Sequence, residues 1–330
     1  MTPYGKFLAD DESWNGSGDV FLARQRGHQG EPNAVLKVFP RIIARTTEAT
    51  AREIELRGAA FQLQHEASRN QEKFVAPILE DKITSEGVPW LVSRRYAASA
   101  DSFIRQLNGR PAPAAALWHI CFSVASGALA IRHASRDLVG ERAKDLAKAQ
   151  AKVASAQAEL EAAQKRPDAP PNDVADARSK LTMAQAMAVA AQRTAASCAE
   201  RSHGNLKPTK ILLAHADGLP GPEVVVTQPE PGDASRGTEF ELRDLEDIGR
   251  LIFQLVAGRR VTAEAEWTDA ARSLASPTKA WKTLGSKHAT WLSLCRELLA
   301  VRENRGGLSL AALEERLRTL KPEPEGSGKG

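Results

Sequence analysis

The chain has 330 residues, 42% hydrophobic, 26% charged and 5% aromatic, with 45 basic against 41 acidic side chains. That is enough for one large domain or two smaller ones with a buried core, and it excludes wholesale disorder; so even a charge balance gives no argument for nucleic acid. No apolar run approaches the ~18 residues of a membrane span, and Cys121, Cys198 and Cys295 lie too far apart for a disulfide framework, so the expectation is a cytoplasmic protein with neither a membrane nor a nucleic-acid partner.

In chain order the first signals are strands. Residues 19–24 and 34–39 flank a Gly27-His28-Gln29-Gly30-Glu31-Pro32 turn and predict a β-hairpin. Residues 47–65 predict a helix, and Trp90-Leu91-Val92 another strand. The composition then changes. Of the 58 residues from 143 to 200, 20 are alanine, the best helix former, and no glycine interrupts them. Leu146, Val153 and Leu160 recur every seven residues, with Ala149, Ala156 and Ala163 three places after each. Past a proline-rich breaker at 166–171, Val174, Leu181, Ala188 and Ala195 form one row and Ala177, Ala184, Ala191 and Cys198 the other. Heptads on two arms joined by a turn predict an antiparallel helical hairpin, its second arm capped by Asn172 or Asp173. Met183 and Met187 fall beside the alanine seam, four apart on one face.

Residues 242–257 and 291–301 carry 3.6-period apolar faces, and Ser309 caps a last helix over 309–317. The expected fold is α+β and two-lobed: a β-rich N-lobe over 1–96, a helical C-lobe over 97–138 and 201–320, an inserted hairpin over 139–200 and a disordered tail over 321–330.

The order of these segments resembles the eukaryotic-type Ser/Thr protein kinase fold. Val20, closing Gly16-Ser17-Gly18-Asp19-Val20, is similar to the valine after the glycine-rich loop. Val35-Leu36-Lys37 stands where the family has its strand lysine, and Glu53 in Thr50-Ala51-Arg52-Glu53-Ile54 where it has that lysine's partner. His203-Gly204-Asn205-Leu206-Lys207-Pro208-Thr209-Lys210-Ile211-Leu212-Leu213 resembles the catalytic loop H-R-D-L-K-P-x-N-I-L-L. Asp244-Leu245-Glu246-Asp247-Ile248-Gly249 is similar to the buried helix anchoring the helical lobe, and Arg305 to a residue near the domain's end.

The resemblance implies a nucleotide pocket at Val20, Val35, Lys37, Glu53 and Leu212, and it also implies what is missing. In this family a loop aspartate accepts the substrate proton, and an asparagine and a second aspartate hold Mg²⁺. Here Asn205 stands at the base position, and a neutral amide cannot take that proton. Lys210 and Gln228 stand at the metal positions, where an ammonium is a donor only. No catalytic residue and no metal site are therefore expected. Glu230 is the only carboxylate nearby, and from Gln228 to Asp244 the chain is too short for a conventional activation loop. The glycine loop is thinned by Ser13 and Asn15, and Val35 replaces a smaller residue.

The expected function is that of a pseudokinase-like scaffold or regulatory protein, meeting a protein partner through the 139–200 hairpin. No cofactor is required; ATP, where it enters, should bind weakly and without Mg²⁺, the other reading being that the pocket residues simply pack the lobe. The alternative function is an atypical ATP-dependent phosphotransferase working without the usual metal ligands, for which His203-Gly204-Asn205 resembles the H-G-D of small-molecule antibiotic kinases.

Overall fold

The structure, a computed structural model, describes residues 2–12, 19–166, 170–197, 199–214, 223–232, 237–262, 266–267, 274–275, 278–304 and 307–323. The glycine-loop positions 13–18, Cys198, Arg305 and most of the expected tail lie outside the described residues.

Six strands form one antiparallel sheet: β1 (Thr2–Tyr4), β2 (Phe7–Ala9), β3 (Val20–Gln25), β4 (Ala34–Val38), β5 (Ile78–Ile83) and β6 (Pro89–Arg94), in the spatial order β1-β2-β3-β4-β6-β5. The β3–β4 hairpin forms as its alternation predicts, with Val20 opposite Lys37 and Leu22 opposite Val35. Ala34 and Leu36 are fully buried against Phe7, Ala9 and Trp90. Side chains alternate across a strand, so Val35 and Lys37 share the opposite face. Between β4 and β5 runs α1 (Thr47–Gln71), longer than its sequence signal, with Thr46 as cap: its Oγ1 accepts from Ala49 N at 3.1 Å. Phe61 of α1 packs with Phe39, Ile78 and Leu91, fixing the helix to the sheet.

The helical lobe holds α2 (Ala100–Leu107), α3 (Ala114–Lys165), α4 (Pro171–Ser197), α5 (Gly237–Ala257), α6 (Lys279–Lys282), α7 (His288–Leu299) and α8 (Leu310–Thr319). A small sheet of β7 (Ala98–Ser99), β8 (Ile211–Leu213) and β9 (Val224–Val226) lies toward the N-lobe. Helix α5 runs through the core, burying Phe240, Leu245, Ile248, Leu251 and Ile252. Ser309 caps α8, its Oγ accepting from Ala312 N at 3.2 Å.

Two expectations change. No helix ends at the expected boundary between lobe and hairpin at 138/139: α3 is one continuous helix of 52 residues, about 78 Å long at 1.5 Å per residue. No proline interrupts it, and its first half buries Leu117, Ile120, Val124, Ile131 and Leu138 before its second half leaves the lobe as the hairpin's first arm. The second arm starts at Pro171 rather than being capped by Asn172 or Asp173, because proline at a first helical position gives up only an amide that would be unpaired anyway.

Helix α3 is also, by length and composition, the one helix among the described residues apolar enough to cross a membrane, contrary to the reading of the sequence by runs. Its most apolar stretch is 67% buried inside the fold, as in a core helix. Small residues such as Ser123, Ser126 and Gly127 break the apolar run without breaking the average.

The hairpin seam follows the heptads. Ala149 and Ala156 of α3 are buried, as are Ala177 and Ala184 of α4, while Leu146, Val153, Leu160, Val174, Leu181 and Ala188 are half-buried. Glu159 and Lys180 pair across the arms at 3.3 Å. At the root, Glu200 Oε1 accepts from Arg136 at 2.9 Å, and Ser135 Oγ accepts from Arg201 N at 2.8 Å, so the chain enters and leaves at one place. Arg142 of α3 donates to Gln62 Oε1 of α1 at 2.9 Å, a hydrogen bond from hairpin root to N-lobe.

Candidate functional site

The loop joining α4 to β8 is held by groups distant in sequence. His203 is fully buried; its Nε2 donates to Thr227 O at 2.9 Å and its Nδ1 accepts from Asn205 N at 3.2 Å, which requires a neutral ring. Burial agrees, pushing the imidazole down to about 3. Gly204 has a φ of +75°, and a Cβ there would lie 2.5 Å from the Phe240 ring, so only glycine fits. Asp244 of α5 accepts from Gly204 N at 2.7 Å, and Asp247 from Leu206 N at 3.0 Å. Burial raises both carboxyl groups, that of Asp244 well above the usual carboxylate range. The anchoring helix therefore does its expected mechanical work.

The loop brings Thr209 and Lys210, from the 3₁₀ turn Pro208–Lys210, to a cleft of about 520 Å³ between the lobes. Val20, Val35 and Lys37 come to it from the sheet, Leu212 from β8, and Lys210 and Gln228 from its inner end. Four of the five expected pocket residues are thus brought together. Glu53 is not: it is exposed on α1, and among the described residues it makes no ion pair with Lys37. One turn further along α1, Arg57 takes the inward position, its guanidinium carbon 4.8 Å from the Phe39 ring centroid while Lys37 Nζ lies 5.3 Å from the same ring. The match of Glu53 to its motif was one of sequence order; Glu53 and Arg57 share a face of α1, so the placement of the helix against the sheet decides which of them reaches the lysine.

Lys210 Nζ donates to Gln228 Oε1. Burial, reinforced by the charges of Lys37 and Arg57, pushes the Lys210 amine down to about 7. Burial also lowers Lys37, whose amine is a hydrogen-bonding neighbour of Lys210, with Asp19 opposing the shift. Gln228 is one of two non-glycine residues of positive φ among those described, at +59°, and its N–H donates to Gln64 Oε1 at 2.8 Å. Gln64 is fully buried and also donates to Ala76 O at 2.7 Å and Thr227 Oγ1 at 3.2 Å. Glu230 accepts from Asn205 Nδ2 at 2.9 Å, leaving Asn205 Oδ1 buried without a hydrogen-bond partner.

This donor set does not fit the Mg²⁺ that the fold family implies. An ammonium lies hydrogen-bonded to the one neutral oxygen at the metal positions, and the nearby carboxylate is engaged with Asn205. Among the described residues, no three His, Cys, Asp or Glu side chains converge as metal ligands do.

Reading the sequence by motif passed over Arg57, Gln64 and the Asn205–Glu230 bond. For Arg57 the signal was present: it lies four residues after Glu53, on the same helical face. Gln64 left no signal, because its partners are far away in the chain.

A sheet-rich lobe over a helical lobe, with a cleft between them and a loop anchored by a buried helix, is a protein-kinase-like fold. Solved structures agree. The kinase domain of Mycobacterium tuberculosis PknI is 11% identical, with a TM-score of 0.52, and the likeness covers 97% of each chain. Its single mutant is 11% identical with a TM-score of 0.53, and its double mutant 12% identical with a TM-score of 0.51, each covering 97% of this chain and 98% of the other. At that identity the likeness carries the fold alone. No protein-family model matches the chain, and no curated protein matches its sequence.

Proposed function

We propose that this kinase-fold protein does not transfer phosphoryl groups and works as a scaffold or regulator, with the α3–α4 hairpin as its arm for a protein partner. The observation that carries the reading is the Lys210–Gln228 hydrogen bond at the positions where the family holds metal ions. Asn205, at the base position, donates to Glu230 instead of offering a carboxylate to a substrate hydroxyl. Losing a general base costs about 10²–10⁴ in rate, and losing metal charge compounds it. On the hairpin, Met183 and Met187 are 67% and 49% exposed, and adaptable methionine side chains suit a binding surface. The test is a phosphoryl-transfer assay with ATP and Mg²⁺ on the full chain. The expected result is no turnover above the Lys37→Ala background; Mg²⁺-dependent autophosphorylation that disappears in Lys37→Ala overturns the reading.

One observation favours a second reading. Glu230 brings a carboxylate to the base-position residue, so an atypical phosphotransferase using Glu230 would lose turnover in Glu230→Gln while keeping nucleotide affinity.

A further inference from the structure

Of the five exposed large hydrophobic side chains among the described residues, three, Met183, Met187 and Val189, stand within seven positions of one another on α4. They do not belong to the hairpin seam, which uses Val174, Ala177, Leu181, Ala184, Ala188 and Ala191. A second row recurs at the same three-and-four spacing on the outward side of the helix: Asp176, Lys180, Met183, Met187, Ala190 and Thr194, with Ala186 and Arg193 beside it. Every residue of this row is exposed. It is apolar at its centre, where Met183, Ala186, Met187 and Ala190 adjoin, and polar toward both ends. That is the pattern of a helix face with a further helix to meet.

The charges at the ends select the occupant. Asp176 lies toward the hairpin tip and Arg193 toward its root, and among the described residues neither is in an ion pair. Seventeen positions separate them, about 25 Å along the helix, so they cannot reach each other within one chain. Lys180 is already paired with Glu159. A second copy laid antiparallel on the row, with Met183 of each chain against Met187 of the other, sets Asp176 opposite Arg193 at both ends. Both pairings centre on Gln185 to within one position, so a single two-fold axis satisfies them together. A parallel copy with its methionines in register sets Asp176 against Asp176 and Arg193 against Arg193, like charge on like.

We infer that α4 is the interface of a homodimer, the outward row of one chain packing antiparallel on the same row of a second copy. The overlap takes in residues 173–197, about 37 Å of helix, and leaves the two sets of lobes at opposite ends. The inference rests on the proposed function only in taking the hairpin as the arm that meets a protein. Two methionines and two alanines from each chain make a small apolar core, so the dimer is a weak, reversible one.

The experiment is sedimentation velocity on the full chain from about 1 to about 200 μM, which should show a concentration-dependent monomer–dimer equilibrium. Met183→Glu together with Met187→Glu sets carboxylates against carboxylates and should weaken association by at least about tenfold. Asp176→Arg alone sets arginine against arginine twice and should weaken it by about three- to tenfold; adding Arg193→Asp should restore it. All four positions are exposed, and a thermal melt of each variant separates lost association from lost folding. A chain monomeric throughout, a dimer unmoved by the methionine pair or by Asp176→Arg, or a double exchange that fails to restore association each overturns the inference. A monomeric chain leaves the hairpin free for a different protein, and phosphoryl transfer by a dimeric chain fails the proposed function alone, so the two readings fall separately.

Discussion

The hairpin and the cleft are built on opposite principles. Along α3 and α4, a residue's surroundings are set by neighbours three, four and seven places away and by the same pattern on the other arm. Ala156 and Ala184 are buried for that reason, and Met183 and Met187 are exposed for that reason. In the cleft, the partners that matter are distant: Asp244 for Gly204, Thr227 for His203, and Gln64, 164 positions away, for the Gln228 amide. Damage should therefore stay local in the hairpin and spread from the cleft.

The sharpest contrast comes from the loop. Gly204→Ala puts a methyl group into the Phe240 ring and forces alanine to a left-handed φ, which together should cost about 3 kcal/mol. Denaturant unfolding followed by helix signal should show the whole helical lobe shifting; a change below about 1 kcal/mol would mean that the loop is not rigidly held.

Next comes a pH effect confined to the cleft. The Lys210 amine is held near 7 in the fold and returns to its ordinary value, near 10.5, on unfolding. Between those values the unfolded chain binds the extra proton, so this group makes stability rise with pH over that window, by at most about 1.4 kcal/mol per unit. Lys210→Met should flatten the rise between pH 7.5 and 9.5 relative to the native chain, and parallel profiles would contradict it.

In the hairpin, Ala184→Asp buries a charge in the seam and should open the arms at a local cost of about 1–2 kcal/mol. Hydrogen exchange should quicken along 143–194 while the melt of the lobes stays in place; a matching fall in that melt would show the seam to be part of the core.

The smallest effect should follow removal of the arm itself. Replacing 143–194 by a short Gly-Ser linker keeps Leu138, the Arg142–Gln62 bond and the Arg136–Glu200 pair, so the lobes should lose less than about 1 kcal/mol. Loss of cooperative unfolding would make the hairpin structural, and a protein partner of the full chain that still binds the shortened one would remove the hairpin's proposed role.

By itself the sequence determined the strands of the β3–β4 hairpin, the two heptad rows and the loop-and-helix motif around His203 and Asp244. These are local periodicities or contiguous runs, and the backbone must answer them wherever they fall. The resemblance to the kinase pattern also pointed to Val20, Val35, Lys37 and Leu212, which the cleft brings together. Only the tertiary structure decided that α3 runs unbroken from core to hairpin, since a helix with no proline ends only where packing ends it. It likewise decided that Arg57 rather than Glu53 turns toward Lys37, and that Lys210 meets Gln228. Those outcomes depend on where one helix is set against a sheet and on the crossing of two segments far apart in the chain, and motif order along the chain decides neither.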